Sequence, residues 1–251
     1  MSTFTFQRQQ NNNKILFFLG CIILVLTSLH LCFFSVATTN DNDNSIMKGA
    51  YRGSQYWKQG ATQSVRTLYE TSFARFQVHT VLLEDGKTIV DDWMFFDEMD
   101  HIDVLVEEET KEGSSSYIVF NQSKYAIQGK SLAILGGLLD TGEDPQQAAR
   151  RELMEELGME SSNWENLGSY RVAVNRGGGT THTFLARKTR LISPSTGHRK
   201  GLFAEGESEK QKCVRLTREE LVEALLAGKF QEIKWTATIA LALLKMQQTG
   251  Q

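Results

Sequence analysis

The stretch that decides the reading runs from Gly137 to Met159: GLLDTGEDPQQAARRELMEELGM. Asp144 is a strong helix N-cap, and Pro145 stands at the first helical position, where a missing N–H costs nothing. Gln147, three residues on, completes the spacing of a capping box. Ala148, Ala149, Leu153 and Leu157 recur at helical period and give the segment one apolar stripe. Gly158 is placed to end it in the left-handed conformation that glycine adopts freely. Glu152, Glu155 and Glu156 then fall at i, i+3 and i+4, so three carboxylates leave one face. Like charges at that spacing destabilise a helix by a few tenths of a kcal/mol, on the order given for such pairs. A divalent cation with oxygen ligands, Mg²⁺ or Mn²⁺, would remove the repulsion. Arg151 is positioned to pair with Glu143, or to orient one of the metal-facing acids.

An acidic run on a helix is usually only a solvated face. Here the glycine, the spaced acid and the Arg-Glu-apolar-x-Glu-Glu-x-Gly-apolar close all fall in register. A chance match is rarer than about one in a million at average residue usage. The pattern resembles the Nudix box without a mismatch. The resemblance implies an α/β fold, an α/β/α sandwich with a mixed β-sheet, covering residues 66–248. It implies hydrolysis of a nucleoside diphosphate linked to another moiety. By the same resemblance Glu152 and Glu156 are the main metal ligands, Glu155 assists, the carbonyl of Gly136 or Gly137 adds an oxygen, and Glu155 and Glu156 both belong to the catalytic set. Arg151 joins the catalytic set. The base is expected in the loop ahead of the penultimate strand, residues 201–212, where Glu207 and Glu209 are favoured.

The early hairpin, the spacing to the box and the closing LAGKF-helix pattern resemble the ADP-ribose and ADP-sugar pyrophosphatases within that family. That branch implies a nucleotide-sugar substrate and a homodimer through the N-terminal hairpin. Its members carry a proline shortly past the box, whereas this chain reads Val174-Asn175-Arg176-Gly177-Gly178-Gly179 there. The departure bears on ADP-ribose itself as substrate and leaves the pyrophosphatase chemistry intact. Two other readings stay open: hydrolysis of another nucleotide such as a dinucleoside polyphosphate or CoA, and a non-catalytic nucleotide-sensing domain. An intact set of acids argues against the second.

Arg75, Arg171 and Arg176 are candidates for phosphate contacts, since a guanidinium fits phosphate bidentately. Trp57, Trp93, Phe95 and Phe96 offer base-stacking faces, although strand aromatics more often pack a core. His182 reads as a strand residue.

The chain has 251 residues and a net charge of −3, so nucleic-acid binding has no electrostatic support. Residues 15–37 hold no Asp, Glu, Lys or Arg and are long enough to span a bilayer as a helix. Arg8 and Lys14 precede this run, and Asp41 and Asp43 follow it. Positive-inside reasoning makes residues 1–14 a cytosolic tail and 15–37 a single-pass signal anchor, with the catalytic domain lumenal or extracellular on the secretory pathway. A signal peptide cleaved after Ser35-Val36-Ala37 is the alternative. Residues 38–65 read as a polar stalk. Cys213 is the one cysteine past the apolar run, so no disulfide forms within that part, and it reads as a packing residue on a strand. Asn121-Gln122-Ser123 is a glycosylation sequon.

Strands are expected over 73–83, 88–96, 102–106, 117–120, 132–139, 169–174, 181–188 and 213–216, with a flexible turn at Arg176 to Gly179. Thr217 with Glu220 predicts a capping box opening a helix over 218–227, and a last helix is expected over 234–246.

Overall fold

The computed structural model describes Lys58 and residues 60–109, 115–192 and 212–250. The apolar run 15–37, its tail, most of the stalk, Trp57, Glu207 and Glu209 lie outside the described residues. Among the described residues no helix is long and apolar enough to cross a membrane.

Three strands open the described part as an antiparallel meander: β1 (Thr62–Glu70), β2 (Ala74–Leu82) and β3 (Ile89–Glu98). β1 starts inside the stretch read as stalk and is exposed along almost its whole length. The turn after β2 is held by Asp85, whose carboxylate accepts from the N–H groups of Lys87 and Thr88.

β4 (His101–Glu109) and β9 (Gly177–Leu191) run parallel as the centre of a mixed sheet. β5 (Ser115–Gln122) and β7 (Leu135–Leu138) pair antiparallel with β4, and β8 (Met159–Ala173) pairs antiparallel with β9. β6 (Ser131–Ala133) and β10 (Lys212–Leu216) both pair with β5. The meander joins this sheet where Phe96 meets Gly177.

β4 is buried from His101 through Glu107, and β9 from Gly177 through Ala186. Successive strand residues point to opposite faces, so burial of every residue means that both faces are covered. The cover is helical. α1 (Pro145–Leu157) and α3 (Ile233–Gln248) each contact β4, β8 and β9, while α2 (Arg218–Leu226) lies on β5 and β10. The core joins Val104, Leu105 and Val106 of β4 and Leu185 of β9 to Leu153 and Leu157 of α1 and Ile239 of α3. This is the layered α/β arrangement that the sequence implies.

The helix ends follow their residues. Asp144 accepts the N–H groups of Gln146 and Gln147, and Gly158 closes α1 at φ 62° with its own N–H on the Leu153 and Met154 carbonyls. Thr217 and Glu220 form the reciprocal capping box of α2. β8 and β9 are each 15 residues long, far longer than the six- and eight-residue strands expected there. The Gly177–Gly179 run is therefore strand, not a flexible turn. A side chain at Gly179, which sits at φ 69°, would stand 2.6 Å from the Met99 carbonyl oxygen. Close approach of two backbones is what the glycine permits.

Candidate active site

β7 carries Gly136 and Gly137 antiparallel to Ile102 and Asp103 of β4, and the chain then turns into α1. That path lays the glycine step beside the first two turns of the helix. A Cβ built on Gly137 would overlap the Glu152 carboxylate and its stem, so only glycine leaves room for this acid.

Arg151 organises the acids. Its Nε donates to one Glu143 carboxylate oxygen at 3.0 Å, and its Nη2 donates to the other at 3.0 Å. Nη1 donates to Glu152 at 2.7 Å and to Glu155 at 3.2 Å, and Nη2 also donates to the Leu138 carbonyl at 3.1 Å. All five guanidinium N–H groups are thus spent. Glu143 further accepts the Asp140 N–H at 3.0 Å, which ties the loop to the helix. The Arg151 hydrogen bonds hold the Glu143 carboxyl below the usual range. Glu152 behaves differently. Its side chain is 13 % exposed, and burial raises its pKa even though Arg151 pulls the other way. The acid wall therefore holds a desolvated carboxylate that one shared arginine does not fully compensate.

Glu156 leaves the same helix one turn past Glu152 and lines a cleft of about 220 Å³ together with Gly136 and Gly137. The rest of the cleft comes from Glu98 of β3, from His101, Ile102 and Asp103 of β4, from Phe120 and Gln122 of β5 and from Lys234 and Trp235 of α3. Lys124, just past β5, and Glu232, just ahead of α3, stand among them. Lys234 pairs with Glu232 at 2.8 Å. Asp103 accepts the Thr181 hydroxyl at 2.6 Å, and burial pushes its pKa up to about 6. Burial drives the His101 pKa down to about 4, so its ring is neutral at pH 7.

The acids have the right donors for Mg²⁺ or Mn²⁺, which take carboxylate and carbonyl oxygen. The incompletely compensated Glu152, packed on the bare Gly137 backbone, fits a cation partner. Among the described residues no group of three metal-ligating side chains has converged. Arg151 draws Glu143, Glu152 and Glu155 to itself instead.

The three arginines proposed for phosphate are not brought together, and none lines the cleft. Arg75 sits in the meander and pairs with Asp97 at 2.6 Å. Arg171 on β8 donates to the Thr180 hydroxyl at 3.4 Å. Arg176, in the β8–β9 turn, covers the Trp93 ring with its guanidinium carbon 5.4 Å from the centroid. The strand aromatics pack locally: Phe95 stacks on His79, and Phe76 meets Phe96, each pair 4.7 Å between centroids. His182 is a buried residue of β9 whose Nδ1 lies 2.8 Å from the Ser169 hydroxyl. Cys213 is half-buried on β10, packs against the core, and has a thiol pKa raised by burial. Asn121 of the sequon lies within β5, paired with Lys212 and Leu132. The residues that sequence reasoning missed are the cleft polar groups, above all His101, Asp103, Gln122, Lys124 and Lys234. The one signal for them was polar residues at the ends of apolar strands, which is common and points nowhere by itself.

Residues 98–235 match the family described as NUDIX domain. None of the curated proteins matches this chain. Among solved structures the chain is similar to the crystal structure of an ADP compounds hydrolase, with a TM-score of 0.59 and 17 % identity over 75 % of this chain and 95 % of that one. At that identity the likeness concerns the fold. The family match spans more than half of the 251 residues and contains the whole arginine-bridged acid helix with its glycine step, and on that ground the chain belongs to the NUDIX-domain family.

Proposed function

We propose that this protein is a pyrophosphatase dependent on Mg²⁺ or Mn²⁺, splitting a nucleoside diphosphate sugar into a nucleoside monophosphate and a sugar phosphate. The observation that carries the reading is the Arg151 fork holding Glu143, Glu152 and Glu155 beside Gly137, with Glu156 opening onto the cleft. Such an array has one evident use: concentrated negative charge, held by a second layer of hydrogen bonds, positions cations against a diphosphate. Glu152, Glu155, Glu156 and the Gly137 carbonyl would hold the ions, which supply charge neutralisation at the diphosphate when bound. Arg151 fixes the acids in position, and the Gly137 backbone leaves the space in which Glu152 stands. Glu207 and Glu209 remain our candidates for the base that takes the proton from water. Arg75, Arg171 and Arg176 reach a phosphate only from outside the cleft, so any contact they make is to a more distant part of the substrate.

The similar solved protein is a hydrolase of ADP compounds, a chemical class that includes the ADP-sugars, and this favours the ADP-sugar type. We further infer that residues 15–37 associate this protein with a secretory-pathway membrane, as an anchor or as a cleaved signal sequence. A homodimer through the meander is supported by the exposed Leu68, Tyr69, Phe73, Phe76 and Met94.

The test incubates the full-length chain with MgCl₂ and ADP-ribose, ADP-glucose, UDP-glucose, GDP-mannose, diadenosine polyphosphates and CoA, with Glu156→Gln as control. Release of a nucleoside monophosphate from a nucleotide sugar, lost with chelator and in the variant, is expected. Cleavage confined to CoA or the dinucleoside polyphosphates would overturn the substrate class. Silence across the panel from a folded protein would favour a sensing domain.

A further inference from the structure

Two buried acceptors in the cleft have no donor. His101 is 6 % exposed and Gln122 is 4 % exposed, both line the cleft, and neither His101 Nε2 nor Gln122 Oε1 has a hydrogen-bond partner. The His101 ring also bonds the Met99 backbone. That bond falls to Nδ1, because Nε2 is the unpartnered nitrogen, and the neutral ring then presents the Nε2 lone pair, with the Asp103 carboxylate 3.9 Å away and beyond hydrogen-bond reach. Leaving a buried acceptor unpaired costs about 1–3 kcal/mol. Two such atoms in one cavity mark a place where a ligand completes the structure.

The cavity indicates what the ligand is. Its 220 Å³ is room for about seven waters at their liquid volume, enough for a six-membered ring with its substituents. Trp235, Phe120 and Ile134 supply an apolar wall, and Lys124 and Lys234 bring donors among the acceptors. A wall that mixes donors and acceptors suits hydroxyl groups, which both give and take hydrogen bonds, and the aromatic surface suits the C–H face of a sugar ring. Gly137 and Glu156 border the same cavity, so its occupant is attached directly to the diphosphate. We propose that this cleft seats the terminal sugar of the nucleotide sugar, with His101 Nε2 and Gln122 Oε1 each accepting a hydrogen bond from a sugar hydroxyl. This rests on the hydrolase reading above and makes His101 and Gln122 specificity residues for the sugar half.

The test uses the full-length chain with two substrates, ADP-glucose and the P2-methyl ester of ADP. They share nucleoside and diphosphate and differ in the sugar. The expected result is that Gln122→Met and, separately, His101→Phe lower the ratio of kcat/KM for ADP-glucose over the methyl ester at least tenfold. A parallel fall for both substrates, as a structural role or a seat for the nucleoside ribose would give, overturns the proposal, as does an unchanged ratio. Saturation-transfer NMR on ADP-glucose gives a second readout that does not need turnover. Saturation of the glucose protons by wild type, and its loss in Gln122→Met, supports the seat. Equal saturation in both proteins, or none in either, overturns it. Should neither ester be cleaved, the hydrolase reading fails while the NMR experiment still decides whether the cleft takes a sugar.

Discussion

Replacing Arg151 by lysine keeps the charge and removes the fork. The guanidinium spends five N–H groups on five acceptor contacts, and an ammonium has three donors, so at least two contacts are lost. Hydrogen bonds to charged groups contribute about 1.5–3 kcal/mol when buried. The Arg151 side chain is 27 % exposed and Glu155 is more than half exposed, so solvent screening reduces this to about 1 kcal/mol for each lost bond. Arg151→Lys should therefore cost about 2 kcal/mol. A domain of this size loses about 2–4 °C of Tm per kcal/mol, so thermal unfolding should move down by about 4–8 °C. Arg151→Met strands the mostly buried Glu143 and Glu152 carboxylates and should cost about 3 kcal/mol or more.

Acid sensitivity gives an independent check. Glu143 has a lowered folded-state pKa because Arg151 bonds it, so its stabilising contribution is present above the ordinary value of 4.5 and is lost as pH falls through the depressed folded value. In Arg151→Met that acid-side loss should shrink. Circular dichroism melts of wild type, Arg151→Lys and Arg151→Met at pH 7 and at pH 3.5 measure both effects. A lysine variant melting within 1 °C of wild type (about a quarter of the smallest expected shift) would refute the claim that the fork, rather than its charge, holds the acids.

Gly137→Ala should fold, because Gly137 is not at positive φ, but its Cβ must drive the Glu152 side chain aside. Displacement of about 1 Å at a catalytic constellation can cost about a hundredfold, so kcat should fall roughly 10- to 100-fold, and turnover within twofold of wild type would reject the contact. Asp103, held at about 6 against an ordinary 3.8, binds its proton more tightly in the folded state, so its effect on stability worsens as pH rises through that window. Asp103→Asn should therefore gain about 1–3 kcal/mol relative to wild type between pH 4 and pH 7 in urea titrations, and an equal difference at both pH values would contradict it. His101, depressed to about 4, contributes the opposite slope, which is why the wild-type curve should be flatter than that of Asp103→Asn.

The helical parts of this fold were legible because their signals are local. Asp144, Pro145 and Gly158 bracket α1, and Thr217 with Glu220 opens α2, each through hydrogen bonds within a few residues. The strands were legible only where burial imposes a pattern. β4 reads as an apolar core strand from Ile102 to Val106 interrupted only by Asp103, whereas β8 carries Glu160, Asn163, Glu165 and Asn166 through its first half and shifts register between Asn166 and Gly168. Its pairing with β9 over most of its length keeps it a strand despite the missing alternation. β1 was missed for the opposite reason: an exposed edge strand buries almost nothing that would mark it. The acid helix and its arginine were readable from spacing alone. The cleft was not, since Gln122, His101 and Lys234 lie on three elements that only the sheet topology brings together.

The two halves of the site solve one electrostatic problem differently. Beside and along α1 one guanidinium is shared by three carboxylates, Glu143, Glu152 and Glu155. In the cleft the charges are mixed: burial raises the Asp103 pKa to about 6 and keeps His101 neutral, while Glu98, Lys124, Glu232 and Lys234 stand among the lining residues. Sugar hydroxyls take hydrogen bonds from charged and neutral groups alike, whereas divalent cations need concentrated carboxylate oxygen. Glu156 and Gly137 stand at the seam between the acid helix and the mixed cleft. A nucleoside diphosphate sugar joins a highly charged diphosphate to an uncharged polyol, and the P–O–P link to be broken would lie within the diphosphate, on the acid-helix side of that seam. The substrate we propose would account for the arginine fork and the unpartnered cleft acceptors standing side by side, when either alone is compatible with many other ligands.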